Sequence, residues 1–333
     1  MSVGHAPVML GEVIAALAPE DRKEYVDATV GGGGYTRAIL GAAQCSVYGF
    51  DRDPTAIARA APWAGAYGGR LKLIGRPFAE MEEGLSDCGA EFVDGVVFDL
   101  GVSSMHLDEA ERGFSFMRDG PLSMRMDGGK PDASDIVNTA DARDLASIFK
   151  VYGEERRATQ IARAIAAERE GSPITTTLRL AEIVTRVSPP RPTDRIHPAT
   201  RVFQALRIFI NDELGQLARA LIAAERLLRP AGRLVVVTFH SLEDRIVKRF
   251  LTDHSDAAAA PSRHAPPVAA MPPTFTLLTA RPQAPTQSEI DANPRARSAK
   301  LRAGVRTIAP PRQTDFRSLL PSLTVSKSLA AWS

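Results

Sequence analysis

The stretch Asp27-Ala-Thr-Val-Gly-Gly-Gly-Gly-Tyr35 has the residue types and order to hold a ligand. Four consecutive glycines let the backbone approach a bound molecule closely and adopt positive φ. Set between a strand and a helix, they offer the helix's free N–H groups and positive dipole end. Asp51 stands 20 residues after Gly31, at the end of the next apolar run. A carboxylate there accepts hydrogen bonds from both hydroxyls of a ribose. Together these features imply a nucleoside cofactor lying across the carboxyl ends of a parallel sheet. The spacing is not the dinucleotide fingerprint. Counting G-x-G-x-x-G from Gly31 ends on Thr36, and from Gly32 on Arg37, where Gly or Ala is required. A phosphate-cradling G-x-x-x-x-G-K-[ST] does not occur. Asp27, just ahead of the loop, suits a cofactor with a positive amino-acid end. S-adenosylmethionine has an ammonium, a sulfonium and a ribose, and no phosphate.

Asp99-Leu-Gly-Val-Ser-Ser104 follows a second apolar run. In an open α/β sheet the carboxyl ends of the strands face the ligand crevice, so Asp99 is expected beside the cofactor. An exocyclic amine is a poor nucleophile because its lone pair is delocalised into the ring. An acceptor that bonds the amine N–H groups favours a tetrahedral nitrogen and aims the lone pair at a methyl donor, and placement supplies much of the rest. Asp99 taken alone also reads as the cap of the turn that follows it.

These residues require a scaffold of alternating strands and helices. Strands are expected over 24–29, 45–50, 71–74 and 95–100, with helices over 35–43, 54–61 and 78–88 between them. That alternation predicts a doubly wound parallel sheet. After Leu100 the rhythm stops. Residues 105–135 show no strand pattern, and helices alone follow over 141–150, 154–169, 177–187 and, as one long element, 199–228. A buried strand returns over 233–239, then a helix over 242–252. The simplest reading is one α/β domain interrupted by a helical insertion. The expected divisions are 1–105 and 201–310 for the α/β domain, 106–200 for an inserted substrate-recognition domain, and 311–333 for a tail without clear periodicity. Residues 255–294 hold 8 of the 24 prolines, so 255–273 reads as a long loop. Thr274–Thr279 and Ser298–Thr307 suit a closing antiparallel pair.

Composition sets the outer bounds. The 333 residues are 44% hydrophobic, enough to bury a sizeable core. A net charge of +2 argues against a histone-like coat of nucleic acid without excluding a basic patch. Two cysteines, Cys45 and Cys88, cannot build a disulfide framework or a four-cysteine zinc site, and no metal ligand set is expected. No apolar run approaches the ~20 residues that span a bilayer. Residues 1–20 lack the pattern of a signal peptide, so a cytoplasmic location is expected. Basic residues concentrate in two places. Arg186, Arg191, Arg195, Arg201 and Arg207 face one acid, Asp194, and six basic residues lie within 281–306. Such patches suit phosphates, although a run of charge is more commonly a solvated face.

Several segments, in order along the chain, resemble one family. They are His5-Ala-Pro-Val-Met-Leu10, the glycine loop, Gly49-Phe-Asp-Arg-Asp-Pro54, Asp99–Ser104, Glu111–Asp127 and Tyr152-Gly-Glu-Glu-Arg156. His197-Pro-Ala-Thr-Arg201 through Asn211, Phe239–Arg249 and Asn293–Ser298 complete the set. The chain resembles the bacterial 16S ribosomal RNA cytosine-N4 methyltransferases of the RsmH (MraW) family. The resemblance implies a class I, Rossmann-like methyltransferase fold with an inserted helical domain. It implies methyl transfer from S-adenosylmethionine to N4 of cytidine 1402 of 16S rRNA, within a small ribosomal subunit or a late precursor, and it leaves a homodimer open. By motif position it places cofactor contacts on Gly33, Gly34, Tyr35, Asp51, Phe78, Asp99 and His106, with Asp99 also catalytic. The family commonly has His at the position of Tyr35, which is expected to contribute its backbone N–H, and Gln at that of His106. Arg118, Arg125, Asp127, His240 and Ser241 are expected to line the cytidine pocket. A nucleotide-dependent oxidoreductase on the same fold and a non-catalytic RNA-binding protein are the rival readings. The missing third glycine opposes the first, and the intact loop with Asp51 and Asp99 opposes the second.

Overall fold

The computed structural model describes residues 7–102, 107–193, 196–256 and 271–330. His106, Asp194, Arg195 and most of the expected 255–273 loop fall outside them. In chain order the first elements are α1 (Leu10–Leu17), β1 (Glu24–Asp27), α2 (Gly34–Ala42), β2 (Ser46–Phe50), α3 (Pro54–Ala64), β3 (Leu71–Ile74), α4 (Met81–Asp87) and β4 (Val93–Asp99). Five helices follow: α5 (Ala133–Thr139), α6 (Ala142–Tyr152), α7 (Ala158–Gly171), α8 (Thr177–Val187) and α9 (Ala199–Ile210). Next come α10 (Glu213–Leu227), β5 (Leu228–Thr238), α11 (Ser241–Asp253), β6 (Phe275–Leu277), α12 (Gln287–Ala292) and β7 (Lys300–Arg306).

The strands form one sheet in the order β3-β2-β1-β4-β5-β7-β6. The pairs from β3 to β5 are parallel. β7 runs antiparallel to both β5 and β6, as the expected closing pair requires. Val96, Val97 and Phe98 of β4 and Val235 to Val237 of β5 have no exposed surface. An unbroken apolar run is what a parallel strand needs when both faces are covered. The chain steps outward from β1 through β2 to β3 and then returns to the other side of β1 as β4. Connections therefore leave β1 and β4 in opposite directions. A crevice opens outside the carboxyl ends of two such strands. Asp27 pairs with Val97, so Asp99 lies two residues further on, at the mouth of that crevice.

The chain groups into two compact units, one taking the residues up to Gly101 together with Gly215–Leu320, the other Val102–Leu214 and the chain from Pro321 onward. The division at residue 200 expected from the sequence falls inside α9 and needs correction. Val202, Phe203, Leu206 and Phe209 of α9 pack into the helical unit's core with Ile148, Phe149, Ile161 and Leu180. The single helix expected over 199–228 is also two. α9 ends at Ile210 with Asn211 as its cap, and Asp212 takes a left-handed φ of 46°. The tail, to which periodicity assigned nothing, packs Leu323, Val325 and Leu329 on the same helical core. Its backbone is tied by Ser147 Oγ donating to Thr324 O and Ser326 N–H donating to Asp144 Oδ1.

Asn211 holds the helical unit's polar loop. It is 1% exposed. Its Nδ2 donates to Met124 O at 2.8 Å, and its Oδ1 accepts Met126 N–H at 3.0 Å. Asn211→Ala orphans a buried donor and a buried acceptor, each worth about 1–3 kcal/mol. Chemical denaturation of that variant is expected to show a loss of about 3 kcal/mol in the transition of this unit. Asn211→Asp should recover only part of it, because the amide NH2 that donates to Met124 O and Arg207 O is gone.

Candidate functional site

The glycine loop is fastened from below by Asp27. This carboxylate is fully buried and accepts Thr36 Oγ1–H at 2.5 Å and Thr29 N–H at 3.1 Å. Burial, as the largest cause, lifts its pKa to about 6, against the pull of those hydrogen bonds. The sequence placed Asp27 toward a positive cofactor end. In the structure it is the post on which the loop turns. Thr29, which sequence reasoning missed, links the two central strands, because its Oγ1 accepts Asp99 N–H at 2.7 Å.

The four glycines divide into two pairs with different duties. A Cβ on Gly32 would meet nothing within 4 Å, and one on Gly31 only Thr29 O at 3.9 Å. This side of the loop is open for a ligand. A Cβ on Gly33 would come within 2.3 Å of the Trp63 indole, and one on Gly34 within 2.6 Å of Pro7. Gly33 also has φ +79° and is the cap of α2, with no side chain bonding the helix's first turn. Gly33 and Gly34 thus let the loop lie flat on Trp63 and Pro7 while the N-terminal turn of α2 keeps backbone donors for a ligand. Arg37 stacks over the Trp63 ring, 4.3 Å from its centroid. Tyr35 points away into the core, 3% exposed, its hydroxyl donating to Val8 O at 2.5 Å. Its side chain is committed to the core, which leaves only its backbone for a ligand. Gly33→Val is expected to abolish measurable cofactor-analogue binding in calorimetry, because it meets both a forbidden φ and the Trp63 ring. Gly32→Ala is expected to retain much of it.

Asp51 closes the same loop from the neighbouring strand. Its Oδ2 accepts Gly31 N–H at 2.9 Å and its Oδ1 accepts Asp53 N–H at 2.9 Å. Each carboxylate oxygen has a second lone pair, so Asp51 can brace the loop and still receive hydroxyl donors. Asp53 in turn caps α3 by accepting Thr55 N–H at 2.9 Å, which sets the position of Trp63 on that helix. Phe78, half-buried after β3, packs edge-on against Phe98 with ring centroids 5.7 Å apart.

Asp99 is the chemically unusual group. The residue is half-buried, and its Oδ1 is buried with no hydrogen-bond partner among the described residues. Burial, followed by the charges of Asp27 and Glu243, raises its pKa to about 8. Glu243 was not anticipated. It belongs to a capping box at the start of α11, where its Oε2 accepts Phe239 N–H and His240 N–H at 2.8 and 3.2 Å. His240 Nε2 lies 3.1 Å from Glu243 Oε1. The x-x-Glu spacing after His240 was the available signal for a capping box. An orphaned carboxylate costs free energy unless a ligand completes it. Asp99 at the crevice mouth, the open Gly31–Gly32 edge and the braced Asp51 together fit a cationic nucleoside.

A model of the MraW methylase family matches residues 2–307. The chain belongs to the MraW methylase family. Three relatives, each called ribosomal RNA small subunit methyltransferase H, span nearly the whole chain. The one from Parvibaculum lavamentivorans is 54% identical over 315 residues, 95% of this chain and 93% of its own. That from Sinorhizobium fredii is 56% identical over 307 residues, 92% of this chain and 89% of its own. That from Brucella suis is 52% identical over 332 residues, 98% of this chain and 95% of its own. The protein is a methyltransferase with a class I, Rossmann-like α/β fold, and its cofactor is S-adenosylmethionine. No helix among the described residues is long and apolar enough to cross a membrane.

The methylase's remaining sequence candidates are spent on structure to different degrees. Arg125 is 13% exposed. Its guanidinium grips Asp127 through Nε and Nη2 at 2.8 and 2.5 Å and donates from Nη1 to Ile210 O at 2.7 Å. It fixes the polar loop to the end of α9. Arg118 is exposed and donates to Asp108 O. Arg186 pairs with Glu168, which also takes Arg179. Arg207 forms a two-pronged pair with Glu213, at 2.7 and 2.9 Å. Ser241 is exposed at the first position of α11.

Proposed function

We propose that this methyltransferase transfers the methyl group of S-adenosylmethionine to N4 of cytidine 1402 in 16S rRNA. The substrate RNA is held in a small ribosomal subunit or a late precursor, in the cytoplasm. The observation that carries this reading, beside family membership, is the orphaned Asp99 carboxylate at the mouth of the β1–β4 crevice. The amino-acid part of the cofactor lies along the glycine loop and the first turn of α2, at Gly33, Gly34 and the Tyr35 backbone, a reading supported by the open edge at Gly31 and Gly32. Asp51 receives the ribose hydroxyls, and Phe78 offers a ring face to the adenine. The cofactor supplies an electrophilic methyl on a positive sulfur.

Asp99 supplies what cytosine N4 lacks. Ionised, Oδ1 accepts an N–H of the exocyclic amine and draws its nitrogen toward tetrahedral geometry, with the lone pair facing the methyl. Once transfer is complete, the methylated nitrogen gives its extra proton to the Asp99 carboxylate that was accepting its N–H. Bringing the base to Asp99 requires splaying it from its neighbours. His106, at a cofactor-contact position by motif, remains part of this proposal. The test is nucleoside mass spectrometry of 16S rRNA from a strain lacking the protein, complemented with wild type or Asp99→Ala. Loss of N4-methylcytidine that only the wild-type copy restores is expected. An unchanged nucleoside profile in the deletion strain would sink the reading.

A further inference from the structure

Within the helical unit, a cleft of about 540 Å³ opens between the start of α7, the segment after α8 and the start of α9. That volume falls in the range of ligand pockets. Among the described residues four arginines line it, Arg156, Arg157, Arg191 and Arg201, against one carboxylate, Glu155. Glu155 is buried and turned inward, its Oε1 accepting Arg157 N–H at 2.8 Å. It braces the wall more than it neutralises the opening.

The arginines here differ from others in the same unit. Arg186 and Arg207 are neutralised by Glu168 and Glu213. Arg157 and Arg201 are instead steered by backbone carbonyls. Arg157 Nη1 donates to Val187 O at 2.5 Å, and Arg201 Nη1 to Glu154 O at 3.4 Å. A carbonyl orients a guanidinium without cancelling its charge, and the other N–H groups of the fork stay available for an anion. Arg156 is exposed. The starts of α7 and α9 both border the cleft, and neither N-cap residue, Arg157 or Pro198, bonds its helix through a side chain; His197 Nδ1 takes the Ala199 N–H of α9 at 3.1 Å, and the remaining first-turn N–H groups add positive potential.

The cleft also has an apolar side. Ile196 is 52% exposed. The exposed His197 packs its ring against Phe116, centroids 4.7 Å apart, and Phe116 packs against Phe203. His197 is thereby held as a rigid plate beside the arginines. Positive forks next to a flat ring suit the phosphate and base of a single-stranded nucleotide.

We propose that this cleft binds a nucleotide of the RNA substrate other than the one methylated, with Arg156 and Arg201 on its phosphates and His197 and Ile196 against its base. The inference rests on the reading of the substrate as ribosomal RNA. It separates the arginines that hold the protein together from those that hold the RNA.

The test compares wild type with Arg156→Gln/Arg201→Gln and Arg156→Lys/Arg201→Lys, using small ribosomal subunits from the deletion strain as substrate. The glutamine variant should raise KM for the subunit at least tenfold, with kcat within about threefold of wild type. Its salt dependence should flatten by about 1.4 in log–log slope, the value for two lost single-strand phosphate contacts. The lysine variant should restore most of the slope. Affinity for S-adenosylhomocysteine, read by calorimetry, should match wild type in both. An unchanged KM and slope in the glutamine variant would overturn the proposal, and so would a parallel loss of cofactor affinity, which marks a structural role. Failure of wild type itself to methylate the subunits would overturn the proposed function, a result distinct from failure of the cleft alone.

Discussion

Asp99→Ala should lower methyl transfer by about 10²–10³-fold, the usual cost of removing one preorganised electrostatic partner of a transition state. Affinity for S-adenosylhomocysteine should change far less, because the open glycine edge and Asp51 remain. Asp99→Asn keeps an acceptor oxygen in place and should retain more activity than Ala. The pH profile carries the sharper signature. Burial and two neighbouring carboxylates raise the Asp99 pKa to about 8. Below that value the free enzyme holds the carboxyl protonated, and a protonated carboxyl is a poorer acceptor for an amine N–H. Wild-type kcat/KM should therefore climb as pH rises toward about 8 and level off above it. The cofactor's positive charge favours the carboxylate, so the break in kcat should lie at lower pH than the break in kcat/KM. Both breaks should vanish in Asp99→Asn. The same profile in the Asn variant would remove Asp99 from the reaction.

Asp51→Ala should weaken cofactor affinity strongly while leaving the core and the glycine loop's own sequence alone. It removes the acceptor of Gly31 N–H and Asp53 N–H together with the seat for the ribose hydroxyls. Hydrogen bonds to a charged group are worth about 1.5–3 kcal/mol each. Losing the ribose pair and slackening the loop should weaken S-adenosylhomocysteine binding at least ~10²-fold in calorimetry. Binding to ribosomal subunits at low salt should persist, because the arginine cleft lies in the other unit. Equal loss of both would mean that Asp51 maintains the fold instead of serving the cofactor.

Much of this site was legible in the chain because its signals are local. Apolar runs of strand length, a glycine cluster at a strand end and acids at the ends of the second and fourth strands all occur within short windows. They locate Asp51, Asp99 and the loop without knowledge of any long-range contact. The change of rhythm after Leu100 likewise announces an insertion. What was not legible depends on who meets whom. That Gly33 and Gly34 lie against Trp63 and Pro7, while Gly31 and Gly32 face open space, cannot be seen in a run of four identical residues. Asp27 and Thr36 meet only once the loop has turned. The break at Asn211–Asp212 hides inside a continuous helical periodicity, because the cause is a side chain that bonds Met124 and Met126, more than eighty residues away.

The same contrast holds for charge. By itself the sequence determined the α/β alternation, the glycine loop, the two carboxylates of the crevice and a local surplus of arginine in the insertion. Only the tertiary structure decided which arginines remain positive. Arg186 and Arg207 are neutralised by acids brought to them by folding, whereas Arg157 and Arg201 rest on carbonyls that turn them without discharging them. Composition counts charges, but the field that a phosphate meets depends on the pairs that packing creates.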